Sequence, residues 1–259
     1  MGERPPEVTL YVKLSKMVPI ARRRQADEGA VAGLPEMASA MTSGTGGDEP
    51  RHPRAAVPAR RRRPGMTFEA FQDTLYTHSL RQFYRGCDVY GTVDYVFGNA
   101  AVVFQGCNFY SRLPMQGQSN TVTAQGRSDP NQNTGTSIQG CALLPAPELA
   151  ANTAFATLTY LGRPWKNFSR TVVMVSYVGG LVDPSGWMPW SGDFALDTLY
   201  YAEYNNTGPG ADTSRRVTWP GYHVLGDASD AGNFTVTSMV LGDNWLPQTG
   251  VPFTTGLLS

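Results

Sequence analysis

Arg85-Gly-Cys87-Asp-Val-Tyr90 and Gln105-Gly-Cys107-Asn-Phe-Tyr110 are one phrase written twice, 20 residues apart. A shift of 21 residues does the same just upstream. It lays Gln72-Asp73-Thr-Leu-Tyr76 onto Val93-Asp94-Tyr-Val-Phe97 and Phe68 onto Val89. A repeat of this length fits one turn of a parallel β-helix, in which equivalent residues of successive turns stack about 4.8 Å apart. Stacking makes Asp73 and Asp94 vertical neighbours on one face. It also brings Cys87 next to Cys107, within reach of a disulfide if their Cα–Cβ vectors agree.

Working outward from the repeat, the texture from Met66 onward is that of an all-β protein. Thr92–Phe97, Ala100–Phe104, Thr171–Val175 and Phe234–Val240 are short runs rich in Val, Phe and Tyr. Gly, Asn and Asp turns bound them, so each is predicted to be a strand. The best helix candidate is the short piece Pro147–Ala154. The expected architecture is a right-handed parallel β-helix over residues 67–259. Residues 1–66 differ: they are Arg-, Pro-, Ala- and Gly-rich, include Arg22-Arg23-Arg24 and Arg60-Arg61-Arg62-Arg63, and are predicted to be largely disordered.

The net charge of zero hides a front of +5 over residues 1–65 and a body of −5. An acidic body argues against capture of nucleic acid, which requires neutralising phosphates. No run of about 18 apolar residues occurs, so no membrane-spanning helix is expected, and Met1–Arg24 lacks the apolar core of a secretory signal. Three sequons, at Asn167-Phe-Ser, Asn205-Asn-Thr and Asn233-Phe-Thr, suit a secreted glycoprotein. His52, His78 and His223 are the only histidines and no Gly-x-Ser-x-Gly elbow is present, which weakens a serine-hydrolase reading.

Gln72-Asp-Thr-Leu-Tyr-Thr-His-Ser79, Gly91-Thr-Val-Asp-Tyr-Val-Phe-Gly-Asn-Ala100 and Leu161-Gly-Arg-Pro-Trp165 together resemble the signature set of plant pectin methylesterases. Tyr201-Ala-Glu-Tyr204, Asn206–Ala211, Trp219-Pro-Gly-Tyr222, Trp245-Leu-Pro and Gly250-Val-Pro-Phe253 extend the resemblance, in the same order, over about residues 67–258. It implies a cell-wall enzyme that hydrolyses the methyl esters of polygalacturonate to carboxylates and methanol. No metal or organic cofactor is implied. Asp73 matches the general acid/base, Asp94 the nucleophile, and Gln72 an oxyanion-binding glutamine. Arg163 and Trp165 match residues of the substrate groove, and Cys87 and Cys107 match a disulfide pair.

Tyr76 and Phe97 fall in the 21-residue register and are expected to share core and subsite walls. Trp187 and Trp190 fit groove and core equally. His78 is expected to be structural, and Cys141 to be a buried free thiol. Two upstream family motifs, Gly-x-Tyr-x-Glu and Gln-Ala-Val-Ala-Leu, are not found in residues 1–66, so the β-helix is expected to be truncated at its N-terminal end. This leaves a second reading: a catalytically impaired β-helix that binds pectin or a proteinaceous inhibitor of the family. A lyase on the same fold fits poorly, since no acidic Ca²⁺ motif is evident. A monomer is expected.

Overall fold

The computed structural model describes residues 65–258. The expected disorder of residues 1–66 lies, except for Gly65 and Met66, outside them. Within the described residues the chain climbs in rungs. The first holds β1 (Thr67–Glu69), β2 (Leu75–Tyr76) and β3 (Arg81–Arg85). The second holds β4 (Asp88–Gly91), β5 (Val96–Gly98) and β6 (Ala101–Gln105), and the third β7 (Asn108–Ser111), β8 (Asn120–Gln125) and β9 (Gly135–Gln139). The fourth holds β10 (Ala142–Pro145), the single turn α1 (Pro147–Ala150), β11 (Thr159–Gly162) and β12 (Arg170–Met174). Then come β13 (Tyr177–Val178), β14 (Tyr200–Tyr204) and β15 (Tyr222–Val224).

Every strand pairing is parallel, and the strands sort into three sheets. One runs β1-β4-β7-β10-β13, the second β2-β5-β8-β11, and the third β3-β6-β9-β12-β14-β15. The two repeats read from the sequence are its registers. Phe68 pairs with Val89, Leu75 with Val96 and Tyr76 with Phe97; Asp88 pairs with Asn108 and Tyr90 with Tyr110.

Stacking turns each inward position into a column. Tyr84, Phe104, Ile138 and Val173 form one through the bore, and Val89, Phe109, Leu143 and Val178 another. All eight are buried. Each large apolar side chain removed from water contributes about 1.5–3 kcal/mol. The corner after each of the first five strands of the third sheet is also a column, at Gly86, Gly106, Gly140, Val175 and Asn205, all with φ between 45° and 65°. Glycine takes this left-handed turn without strain, so Gly86 and Gly106 recur in the sequence phrase.

Three expectations are corrected. Thr92–Phe97 is strand only at its end, in β5, because the backbone turns left-handed at Asp94 (φ 52°) first. Phe234–Val240 is not a strand: Val236–Val240 forms helix α3, after α2 (Ala228–Gly232). Its Val236, Met239 and Val240, spaced i, i+3, i+4, lie on the outer face of the third sheet with Ala101, Val103, Val172 and Met174. Burial of one helical face overrides the β propensity of the run. The Cys87–Cys107 bridge is not formed either. Cys87, Cys107 and Cys141 are buried free thiols. They stand in successive rungs, one before each of the paired residues Asp88, Asn108 and Ala142. Cys107 thus has a thiol neighbour on both sides, and its backbone N–H donates to Cys141 Sγ at 3.3 Å. The neighbouring Cys107 thiol, then burial, pushes the Cys87 thiol up.

Candidate active site

The second sheet supplies the site. Asp73 precedes β2 and Asp94 precedes β5, at matching positions of adjoining rungs. Both adopt a left-handed backbone, φ 56° and 52°. Among side-chain-bearing residues Asp and Asn tolerate this best. The Asp73 N–H donates to Val93 O at 3.0 Å, and Leu75 N–H to Tyr95 O at 2.9 Å, so the ladder brackets Asp73.

Asp94 is 5% exposed. Arg163, just past β11, grips it with a two-pronged fork: Nε donates to Oδ1 and Nη2 to Oδ2, each at 2.8 Å. The Thr121 hydroxyl, on β8, donates to Oδ1 at 2.6 Å and accepts from the Asp94 N–H at 2.7 Å. Asp94 is an acceptor in all three side-chain contacts, the pattern of a carboxylate anion. Trp190 lies under the far side of the fork, its ring centroid 4.4 Å from the guanidinium carbon.

Asp73 has the opposite environment. Burial first, and the Asp94 charge second, raise its pKa above the ordinary carboxylate range; Arg163 opposes them. Of the two stacked carboxyls, one is clamped by a cation and the other is inclined to hold a proton. Asp73 binds its proton more tightly folded than unfolded, so its contribution to stability falls as pH rises through the raised folded value. Asp73→Asn is expected to unfold at a higher temperature than wild type at pH 7. Thermal unfolding along a pH series should show the difference closing as pH falls below about 4, where the unfolded carboxyl also becomes protonated.

An aromatic strip runs beside the carboxyls. Tyr76 and Phe97 stack with centroids 4.5 Å apart and planes 4° from parallel, and Phe97 meets Trp165 edge-on at 6.1 Å. All three are partly exposed. Trp165 lies so close over Gly126 that a Cβ there would stand 2.7 Å from the indole. Gln72 is exposed beside Asp73. His78 packs edge-on against Tyr76 at 4.9 Å and pairs with the Ser79 hydroxyl.

Trp187 and Trp190 divide between the two roles open to them: Trp187 is core, 1% exposed, and Trp190 reaches the site, 37% exposed. The sequence reading missed Thr121 and left Trp190 open between groove and core. Their faint signal is the alternation Thr121-Val-Thr123 and the Trp-Met-Pro-Trp run. Among the described residues no cluster of His, Cys, Asp or Glu could hold a metal ion.

The pectinesterase family matches residues 64–243, which contain every residue of this site. The chain belongs to the pectinesterase family. The Arabidopsis thaliana protein named probable pectinesterase/pectinesterase inhibitor 20 is 68% identical over 193 residues, 74% of this chain and 34% of that protein. Pectinesterase 2 of Citrus sinensis is 57% identical over 191 residues, 74% of this chain and 37% of that protein. The chain thus spans about a third of the length of these relatives. Among solved structures, the carrot pectin methylesterase superposes with a TM-score of 0.72 at 53% identity, covering 74% of this chain and 60% of its own. That of Aspergillus niger gives 0.57 at 30% identity, covering 70% and 54%. The parallel β-helix read from the repeats is the fold of this pectinesterase chain.

Proposed function

We propose that this chain hydrolyses the methyl esters of polygalacturonate, releasing methanol and leaving carboxylates, through an aspartyl acyl-enzyme. The supporting observation is the pair of stacked carboxyls, Asp94 clamped by Arg163 and Asp73 raised by burial and by Asp94.

The cycle assigns each residue one task. An Asp94 oxygen attacks the ester carbonyl carbon, and Gln72 donates an amide N–H to the oxyanion. As the tetrahedral species collapses, the C–O bond to methoxide breaks and protonated Asp73 gives its proton to the departing oxygen, so methanol leaves. Asp73, now ionised, takes a proton from water. The hydroxide oxygen adds to the same carbonyl of the mixed anhydride, Asp94 departs as carboxylate, and the product is a free uronic acid. Tyr76, Phe97 and Trp165 offer faces for sugar rings.

Residues 67–259 form the proposed catalytic domain. The proposed partners are methyl-esterified pectin and, as the names of the Arabidopsis relatives suggest, a pectinesterase inhibitor. The proposed setting is the plant cell wall, and the proposed state a monomer.

The test is methanol release from highly methylated pectin by the full chain. Release that scales with protein and yields titratable carboxyl groups is expected. Pectin binding without release would replace this reading with that of a binding β-helix.

A further inference from the structure

The bore column Tyr84, Phe104, Ile138 and Val173 continues to an acid. Its next member is Glu203, paired with Val173 in the β12–β14 register. Glu203 and Arg216 are each 2% exposed at the side chain. Arg216 Nε donates to Glu203 Oε1 at 2.7 Å and Nη2 to Oε2 at 3.0 Å. Tyr222 OH donates to Oε1 at 3.1 Å and Trp187 Nε1 at 3.3 Å. Arg216 has two further acceptors, the carbonyls of Pro184 (3.1 Å) and Gly210 (2.6 Å). A buried ion pair is a poor source of stability compared with apolar side chains of the same volume. What this one does is fix the position of a neighbour.

That neighbour is the strip Gly186–Trp190. The Arg216 stem packs against Gly186 so tightly that a Cβ there would lie 2.4 Å from its Cδ. The Trp187 indole is tied to Glu203 by its N–H and stacked on Tyr201 at 4.2 Å. The strip is the rung above Arg163: Gly186 O accepts from Leu161 N–H at 2.7 Å, and Met188 N–H donates to Gly162 O at 3.0 Å. Three residues beyond Trp187, the ring of Trp190 covers the guanidinium that grips Asp94.

Resting on the pectinesterase reading of the site, we propose that the buried Glu203–Arg216 pair is a positioning device for the nucleophile. It holds Trp187 and so places Trp190 against Arg163, which fixes the carboxylate of Asp94. Neither residue of the pair touches substrate. Their effect passes through the strip and the fork.

Two variants of the full chain test this. Trp187→Phe removes the indole donor and keeps the ring stack. Glu203→Gln keeps the shape and removes the charge. In both, kcat for methanol release is expected to fall about 10-fold with KM within about twofold, because a small misplacement of a reacting group slows chemistry more than binding. Independently of activity, exchange of the Arg163 Nε–H with solvent, followed by ¹⁵N NMR, should quicken about 10-fold as the fork opens more often. If Glu203→Gln does not fold, Trp187→Phe alone decides.

Folded variants with wild-type kcat and unchanged Arg163 exchange, whatever their melting temperature, would reduce the pair to a structural plug and overturn the proposal. A wild-type chain that releases no methanol, with faster Arg163 exchange in the variants, would sink the catalytic reading and leave the positioning device standing.

Discussion

Asp94→Asn is expected to cut methanol release by about 10⁴-fold or more, the scale seen when a nucleophile is removed. The amide is the same size but attacks poorly. It also turns an N–H donor toward the Arg163 fork, whose Nε and Nη2 can only donate. The variant should therefore also melt below wild type, because a half-buried guanidinium loses its charge partner. Steady-state kinetics and a melting curve on one preparation check both halves. Retention of more than about one percent of the wild-type rate would show that Asp94 does not carry out the attack.

Arg163→Met is the second large effect. It leaves the buried Asp94 carboxylate without its cation, a change that costs about 3 kcal/mol in comparable buried pairs. The rate should fall about 10²–10³-fold, as for loss of other preorganised electrostatic contacts. Arg163→Lys should recover part of the stability and little of the rate. Lysine is a point charge that cannot hold both carboxylate oxygens as a fork or lie flat on Trp190. Denaturant unfolding beside methanol-release kinetics separates the two terms. Equal rates for the lysine variant and wild type would mean that charge alone suffices and the fork is dispensable.

The sequence was most legible where rungs are short and equal. Offsets of 20 and 21 residues are the true registers of the first two rungs, so Asp73, Asp94, Tyr76 and Phe97 could be placed before any coordinates. The third and fourth rungs carry longer loops. Val96 pairs with Thr123, an offset of 27, and Asn120 with Thr159, an offset of 39. A constant-period search cannot follow that drift, which is why Thr121 went unseen although it touches the nucleophile. Arg163 was found through the motif rather than the period. Trp190 was ambiguous because its contact to Arg163 depends on the fold of its whole rung. Val236–Val240 was misread because its β-branched ends suit a strand, and only the sheet face beneath it favours a helix.

Among the described residues, the rung that bears Asp73 is the terminal one: β1, β2 and β3 each pair on one side only. Met66, Phe71 and Leu80 stand exposed around it. Asp94, one rung in, has neighbours above and below. Among these residues the attacking acid is thus laced into the sheet from both sides, so its aim needs little reordering when an ester arrives.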